Sequence, residues 1–136
     1  MTATNFTSFA IDGAAMPVAA TFTIGAEVSN VINVGIQLFK DAAKTKELDG
    51  AAAVLFYLAN DAAGDTPTSS APDGGIAIGA NGTMIEWSAN LSGLVVSEAD
   101  GDIDIDVTHA AGALTVYLVL VTPTGERIIS DAITFA

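Results

Sequence analysis

Residues 102–121 read DIDIDVTHAAGALTVYLVLV, and the first six of them settle the backbone. Strict alternation puts Ile103, Ile105 and Val107 on one side of an extended chain and Asp102, Asp104 and Asp106 on the other. A helix would scatter the two sets around its cylinder and leave no apolar stripe to bury. After the break at Ala110-Ala111-Gly112, residues 114–121 are apolar on both faces, the pattern of a strand in the middle of a sheet.

The same period runs through the rest of the chain. Ile32, Val34, Ile36 and Leu38 alternate with Asn33, Gly35 and Gln37, Phe22 and Ile24 alternate with Thr21 and Thr23, and residues 53–59 are apolar on both faces like a second central strand. Asn81-Gly82, between 76–78 and 84–87, predicts a type I′ hairpin. Ala110-Ala111-Gly112 and Pro123-Thr124-Gly125 predict two successive hairpins at the end of the chain. In the last strand, residues 128–135, placing Ile133 and Phe135 inward also turns Asp131 inward unless a bulge near Ser130 resets the phase. Residues 40–48 have room for one helical turn, residues 61–74 (DAAGDTPTSSAPDG) read as a long exposed loop, and no internal repeat is evident. Eight or nine short strands at this spacing describe an all-β, antiparallel two-sheet sandwich, immunoglobulin-like in topology, with a jelly roll as the alternative connectivity.

The chain is 136 residues long, enough for one core, so residues 21–136 are expected to form a single domain. Residues 1–20 carry one charge, Asp12, with scattered Phe6, Phe9, Ile11 and Val18, and read as an arm or an edge strand. They lack the basic and apolar regions of a secretory signal, and no stretch reaches the ~18 apolar residues of a membrane-spanning helix. The net charge of −12 arises from only 15% charged residues, in a chain that is 51% apolar with a mean hydropathy of +0.52. That is no disordered acidic tail, and it offers no basic stripe for nucleic acid. Lys40, Lys44 and Lys46 read as a solvated loop.

The candidate chemistry is thin. No cysteine is present, so there is neither a disulfide nor a thiolate. The acidic run Glu98, Asp100, Asp102, Asp104, Asp106 spaces its carboxylates roughly 7 Å apart along one strand face, and a calcium loop begun at Asp100 has Ile105 where glycine is needed and Ala111 where glutamate is needed. It reads as a solvated or partner-facing surface, with no metal and no cofactor. His109, the one imidazole, closes a strand with no nucleophile elbow anywhere, so no catalytic residue is assigned and no enzyme is expected. Trp87, Tyr57 and Tyr117 read as core or half-buried sheet residues. Twenty-five alanines and few long charged side chains give low-entropy faces suited to assembly.

Certain segments also resemble a known group. GGIAIGANGTMIEW (74–87), LVVSEADGDIDIDVTHAAGALTVYLVLVTPTGERIISDAITFA (94–136), VGIQLFKDAAKTKEL (34–48) and AVLFYLANDAAGD (53–65) are similar to small virion structural proteins of tailed bacteriophages and prophages. The departures are Asp131 where glycine is usual and Thr124 where aspartate is usual. The resemblance implies a place on the virion, at the capsid surface, as a decoration or cement protein made in the host bacterial cytoplasm. Its implied partners are the major capsid protein and one or two further copies of the chain, with no nucleic acid and no membrane. A head fibre or tail-associated module, one that binds a host surface glycan, is the other placement it admits. On the decoration reading Phe6, Phe9, Ile11 and Val18 of the arm and Thr66, Pro67 and Pro72 of the long loop are the expected contacts to the capsid and to neighbouring copies.

Overall fold

The computed structural model describes residues 16–136, and every regular element in it is a strand. In chain order these are β1 (Ala19–Ile24), β2 (Val31–Phe39), β3 (Ala53–Ala59), β4 (Gly75–Ile78), β5 (Thr83–Ser88), β6 (Ser92–Val96), β7 (Asp102–Thr108), β8 (Leu114–Val121), β9 (Arg127–Ile129) and β10 (Ile133–Phe135). They form two antiparallel sheets packed face to face. One has four strands in the order β1-β2-β7-β4; the other has six, in the order β10-β8-β3-β6-β5 with β9 also on β8.

The core is the inward half of each alternation. Ile32, Val34, Ile36 and Leu38 of β2 and Ile103, Ile105 and Val107 of β7 pack toward Val54, Phe56 and Leu58 of β3 and Val116, Leu118 and Leu120 of β8. Each such side chain contributes about 1.5–3 kcal/mol by leaving water. The ladder from Val31↔Thr108 to Gln37↔Asp102 joins β2 to β7 and sets both alternations in phase.

The hairpins fall elsewhere than the local turn signals suggest. Asn81-Gly82 does not close one: β4 pairs with β7 and β5 with β6, so this stretch carries the chain from one sheet to the other. Gly82 has φ +97°, while Asn81 is not left-handed. The two-residue turn with both positions left-handed is Ser29-Asn30 (φ 53° and 66°), where Val28 and Val31 exchange both backbone bonds at 2.9 and 3.0 Å. Residues 109–113 are likewise a crossover, because β7 and β8 belong to different sheets. Only the β8–β9 hairpin of the expected terminal pair is present.

The bulge in the last strand is present, and it splits that strand into β9 and β10. Ile129 pairs with Val119 but Ile133 with Val116, so four residues span what three span opposite. Asp131 is thereby exposed while Ile133 and Phe135 stay buried. Buried Ser130 closes the gap: its Oγ accepts from the Leu118 N–H at 2.9 Å and donates to the Asp131 carbonyl at 2.8 Å. Ser97 does the same where β6 ends, accepting from the Ala52 N–H at 3.0 Å and donating to the Glu98 carbonyl at 2.8 Å.

Residues 40–46 form no helical turn, and they repeat. Asp41 and, twenty positions on, Asp61 head two loops of one design, a repeat not evident in the sequence alone. In each, the aspartate carbonyl accepts from the third residue onward, Lys44 or Gly64, which is left-handed (φ 59° and 70°). Its carboxylate takes the next two backbone N–H groups, of Thr45 and Lys46 or of Asp65 and Thr66. The loops close through Lys40 N–H to Lys46 O and Asn60 N–H to Thr66 O, both 2.9 Å. Asp41 also accepts from the Thr45 hydroxyl, and that bond, with the two backbone donors, holds its carboxyl below the usual range.

Candidate functional site

The sandwich has two outer sheet faces, and their chemistry differs. On the four-stranded sheet the outward residues of β7 are Asp102, Asp104 and Asp106, flanked by Asn33, Gly35 and Gln37 of β2 and Ala77 of β4. Amides brace this row: Asn33 Nδ2 donates to Asp106 Oδ1 at 2.8 Å and Asn81 Nδ2 to Asp104 Oδ2 at 3.3 Å. Gln37 Nε2 reaches the Asp100 carbonyl at 2.7 Å. Partial burial, with Asp100, Asp104 and Glu98 around it, pushes the Asp102 carboxyl up. No group of three or more His, Asp or Glu among the described residues is placed to hold a metal ion.

On the six-stranded sheet the outward row is apolar across four strands: Ile85 of β5 pairs with Leu94 of β6, Leu94 with Leu55 of β3, and Leu55 with Val121 of β8. Leu55 is 38% exposed and Ile85 53%. At one side the Asp61 loop folds over this face. Tyr57 Oη and Arg127 Nη1 both donate to the Gly64 carbonyl, at 2.6 and 2.9 Å, and Arg127 pairs with Asp65 at 2.9 Å. Gly64 lies so close to Ile129 and Val119 that a Cβ would come within 3.1 Å of both. Among the described residues nothing else covers the row.

Phe6, Phe9 and Ile11 lie outside the described residues. Val18 is half-buried beside β2, its N–H bonded to the Phe39 carbonyl at 2.9 Å, and β1 begins at Ala19, inside the stretch read as an arm or edge strand. Thr66 and Pro67 are exposed, but Pro72 is buried, as are Gly64 and Thr68, so the 61–74 segment is pinned to the sandwich at three points rather than exposed throughout. Trp87, read as a core or half-buried residue, is 65% exposed, because the β5 bulge between Glu86 and Ser88 takes it out of the pleat. Tyr57 and Tyr117 are half-buried.

His109 ties a turn to a strand end. Its Nδ1 lies 3.1 Å from the Asp73 N–H and 3.0 Å from Asp73 Oδ1, which accepts from the Ala110 N–H at 2.7 Å. Its ring stands edge-on to Phe135 at 5.6 Å. Lys40 pairs with Asp49 at 2.7 Å.

What the sequence reading missed is the outer apolar row. The 53–59 and 114–121 strands are apolar on both faces, but a strand central in a sheet and covered on both sides shows the same pattern. Comparison of the chain with protein-family models, with curated proteins and with solved structures finds no match.

Proposed function

We propose that this chain is a non-enzymatic structural protein of a tailed-phage virion, which decorates or cements the outside of the capsid by binding the major capsid protein. The observation that carries this reading is the opposition of the two faces. A surface with Ile85, Leu94, Leu55 and Val121 in one row gains by being covered. A surface with three aspartates in one row gains by facing water and repels other acidic particles. The resemblance of residues 34–136 to virion proteins supplies the setting.

The test is binding of the purified chain to empty capsids built from the major capsid protein of the phage or prophage that carries it. Saturable occupancy is expected, falling more than about tenfold in Leu55→Glu/Ile85→Glu, a loss typical of a truncated hot spot. Absence of occupancy, or occupancy indifferent to that pair, refutes the reading.

A second reading, a head fibre or tail-associated module that binds a host glycan, is favoured by Trp87, an exposed indole of the kind that stacks on sugar rings. Retention on host surface polysaccharide that disappears in Trp87→Ala, without capsid binding, would select it.

A further inference from the structure

We infer that β1 is a self-association edge, through which two copies of the chain join their four-stranded sheets into one continuous eight-stranded sheet about a two-fold axis. The inference stands apart from the capsid reading, since it concerns a different surface and a second copy of the same chain.

A strand paired on one side only presents a row of free N–H and C=O groups, and proteins that stay monomeric protect such rows with charge, bulges or shortness. Each of the other edges here is protected. β5 carries Glu86 and a bulge. β9 and β10 have three residues each, with Arg127 on the first and Asp131 just before the second. β4 has four residues and pairs directly with the aspartate strand, Ala77 opposite Asp106. Among the described residues β1 pairs with β2 alone; it has six residues, AATFTI, and no charge, no proline and no bulge in its register with β2 from Ala19↔Phe39 to Ile24↔Val34.

Electrostatics selects the same edge. Two molecules of net charge −12 approach most readily where their carboxylates are far apart. Joining through β1 separates the two Asp102–Asp104–Asp106 rows by five strand spacings, roughly 24 Å, about three Debye lengths at physiological salt. Joining through β4 would leave three spacings, roughly 14 Å. The ends of β1 also complement one another. Lys44 lines the same groove as Val18, Ala19 and Ala20 at the start of the strand, and Glu27 follows its end. Antiparallel pairing sets the Glu27 end of each copy beside the Lys44 end of the other, twice by symmetry. Thr21 and Thr23 of the two copies then meet on the outer face, where threonine pairs hydrogen-bond across strands.

Analytical ultracentrifugation of the full chain tests this, with Thr21→Glu/Thr23→Glu as the variant. Both threonines are exposed on the outer face, so the core is untouched. A dimer is expected for the natural chain, and half that mass for the variant with an unchanged circular dichroism spectrum. Amide exchange of the unsubstituted chain gives a readout independent of the variant's folding: the β1 amides turned away from β2 should be protected, and lose protection on dilution. A monomer at every concentration overturns the inference, including one whose β1 amides stay protected, since residues 1–15 of the same molecule would then cover the edge. So does a dimer that survives the double substitution or that Leu55→Glu dissociates instead, which would move self-association to the apolar face. Capsid binding can fail or succeed without bearing on any of these outcomes.

Discussion

The row across β7 and β2 on one side of the sandwich sets Asp104 beside Gly35 and Asp106 beside Asn33; the row across β5, β6, β3 and β8 on the other sets Ile85, Leu94, Leu55 and Val121 side by side. Both are the outward half of a period-two alternation, so backbone geometry does not distinguish them. The difference lies in what the neighbours permit. Aspartates on adjacent outward positions are tolerable where small residues and side-chain amides leave them solvated, and even there Asp102 is held above its ordinary range. The apolar row has no such neighbours and needs a cover. A chain with few charges has therefore gathered three of its carboxylates on one face and left the other almost bare.

Glycine gives the sharpest contrast between the two sheets, at an inward position of one and an outward position of the other. A Cβ on Gly93 of β6 would lie 2.1 Å from the Ile85 carbonyl oxygen and 2.8 Å from the Glu86 Cα, so Gly93→Ala must push β5 away. A loss of about 3 kcal/mol is expected from the urea midpoint, the scale of forced overpacking. A Cβ on Gly35 of β2 would meet nothing closer than Asp104 Oδ1 at 3.6 Å. Gly35→Ala should stay within about 1 kcal/mol of the natural chain in the same titration, because the site has room and glycine inside a strand is itself costly. Equal effects would mean that the β5–β6 pair is looser than its register implies.

The two buried serines test whether the sheets end by the same means. Ser130→Ala leaves the Leu118 N–H without its acceptor and Ser97→Ala leaves the Ala52 N–H without its own. Each should cost about 2 kcal/mol in thermal or chemical unfolding, the penalty for an orphaned buried donor. A cost at one site alone would show that water reaches the other.

The smallest effect belongs to the acidic row. The Asp102 carboxyl is raised first by burial and then by Asp100, Asp104 and Glu98, so the fold favours its protonated form. That contribution is fully present below the ordinary aspartate pKa and is lost as pH rises through the raised value. Asp102→Asn should therefore be more stable than the natural chain at neutral pH, by no more than about 1 kcal/mol. The gap should close on acidification, as melting at a series of pH values would record.

Much of this was legible beforehand, and the reasons are particular. Strands β2 and β7 alternate cleanly because one side of each is core and the other is wet. The bulge after Ser130 could be read because Ile133 and Phe135 demanded a phase that Asp131 refused. The type I′ turn was misplaced because Asn81-Gly82 is a local signal, whereas partner choice between β4, β5, β6 and β7 is settled by contacts far along the chain. The Asp41 and Asp61 loops were visible as DAAK and DAAG twenty residues apart, but nothing in four letters says that two carboxylates will cap the same backbone donors. The open face could not be seen because residues 53–59 look alike whether their second side meets another layer or water.

The ladder between β2 and β7 also governs time. Its partners, from Val31↔Thr108 to Gln37↔Asp102, lie 77 to 65 residues apart (108 − 31 and 102 − 37). At translation rates of about 5–20 residues per second, the β1–β2 hairpin leaves the ribosome several seconds before the strand that will cover its other edge has been made. Through that interval Ile32, Val34, Ile36 and Leu38 have only β3, β5 and β6 of the opposing sheet to pack against, since β8 and β10 follow β7, and loop closure over so long a span is slow even once the chain is free. The nascent chain is thus most vulnerable to misassociation midway through synthesis, before the aspartates of β7 exist to repel a neighbour.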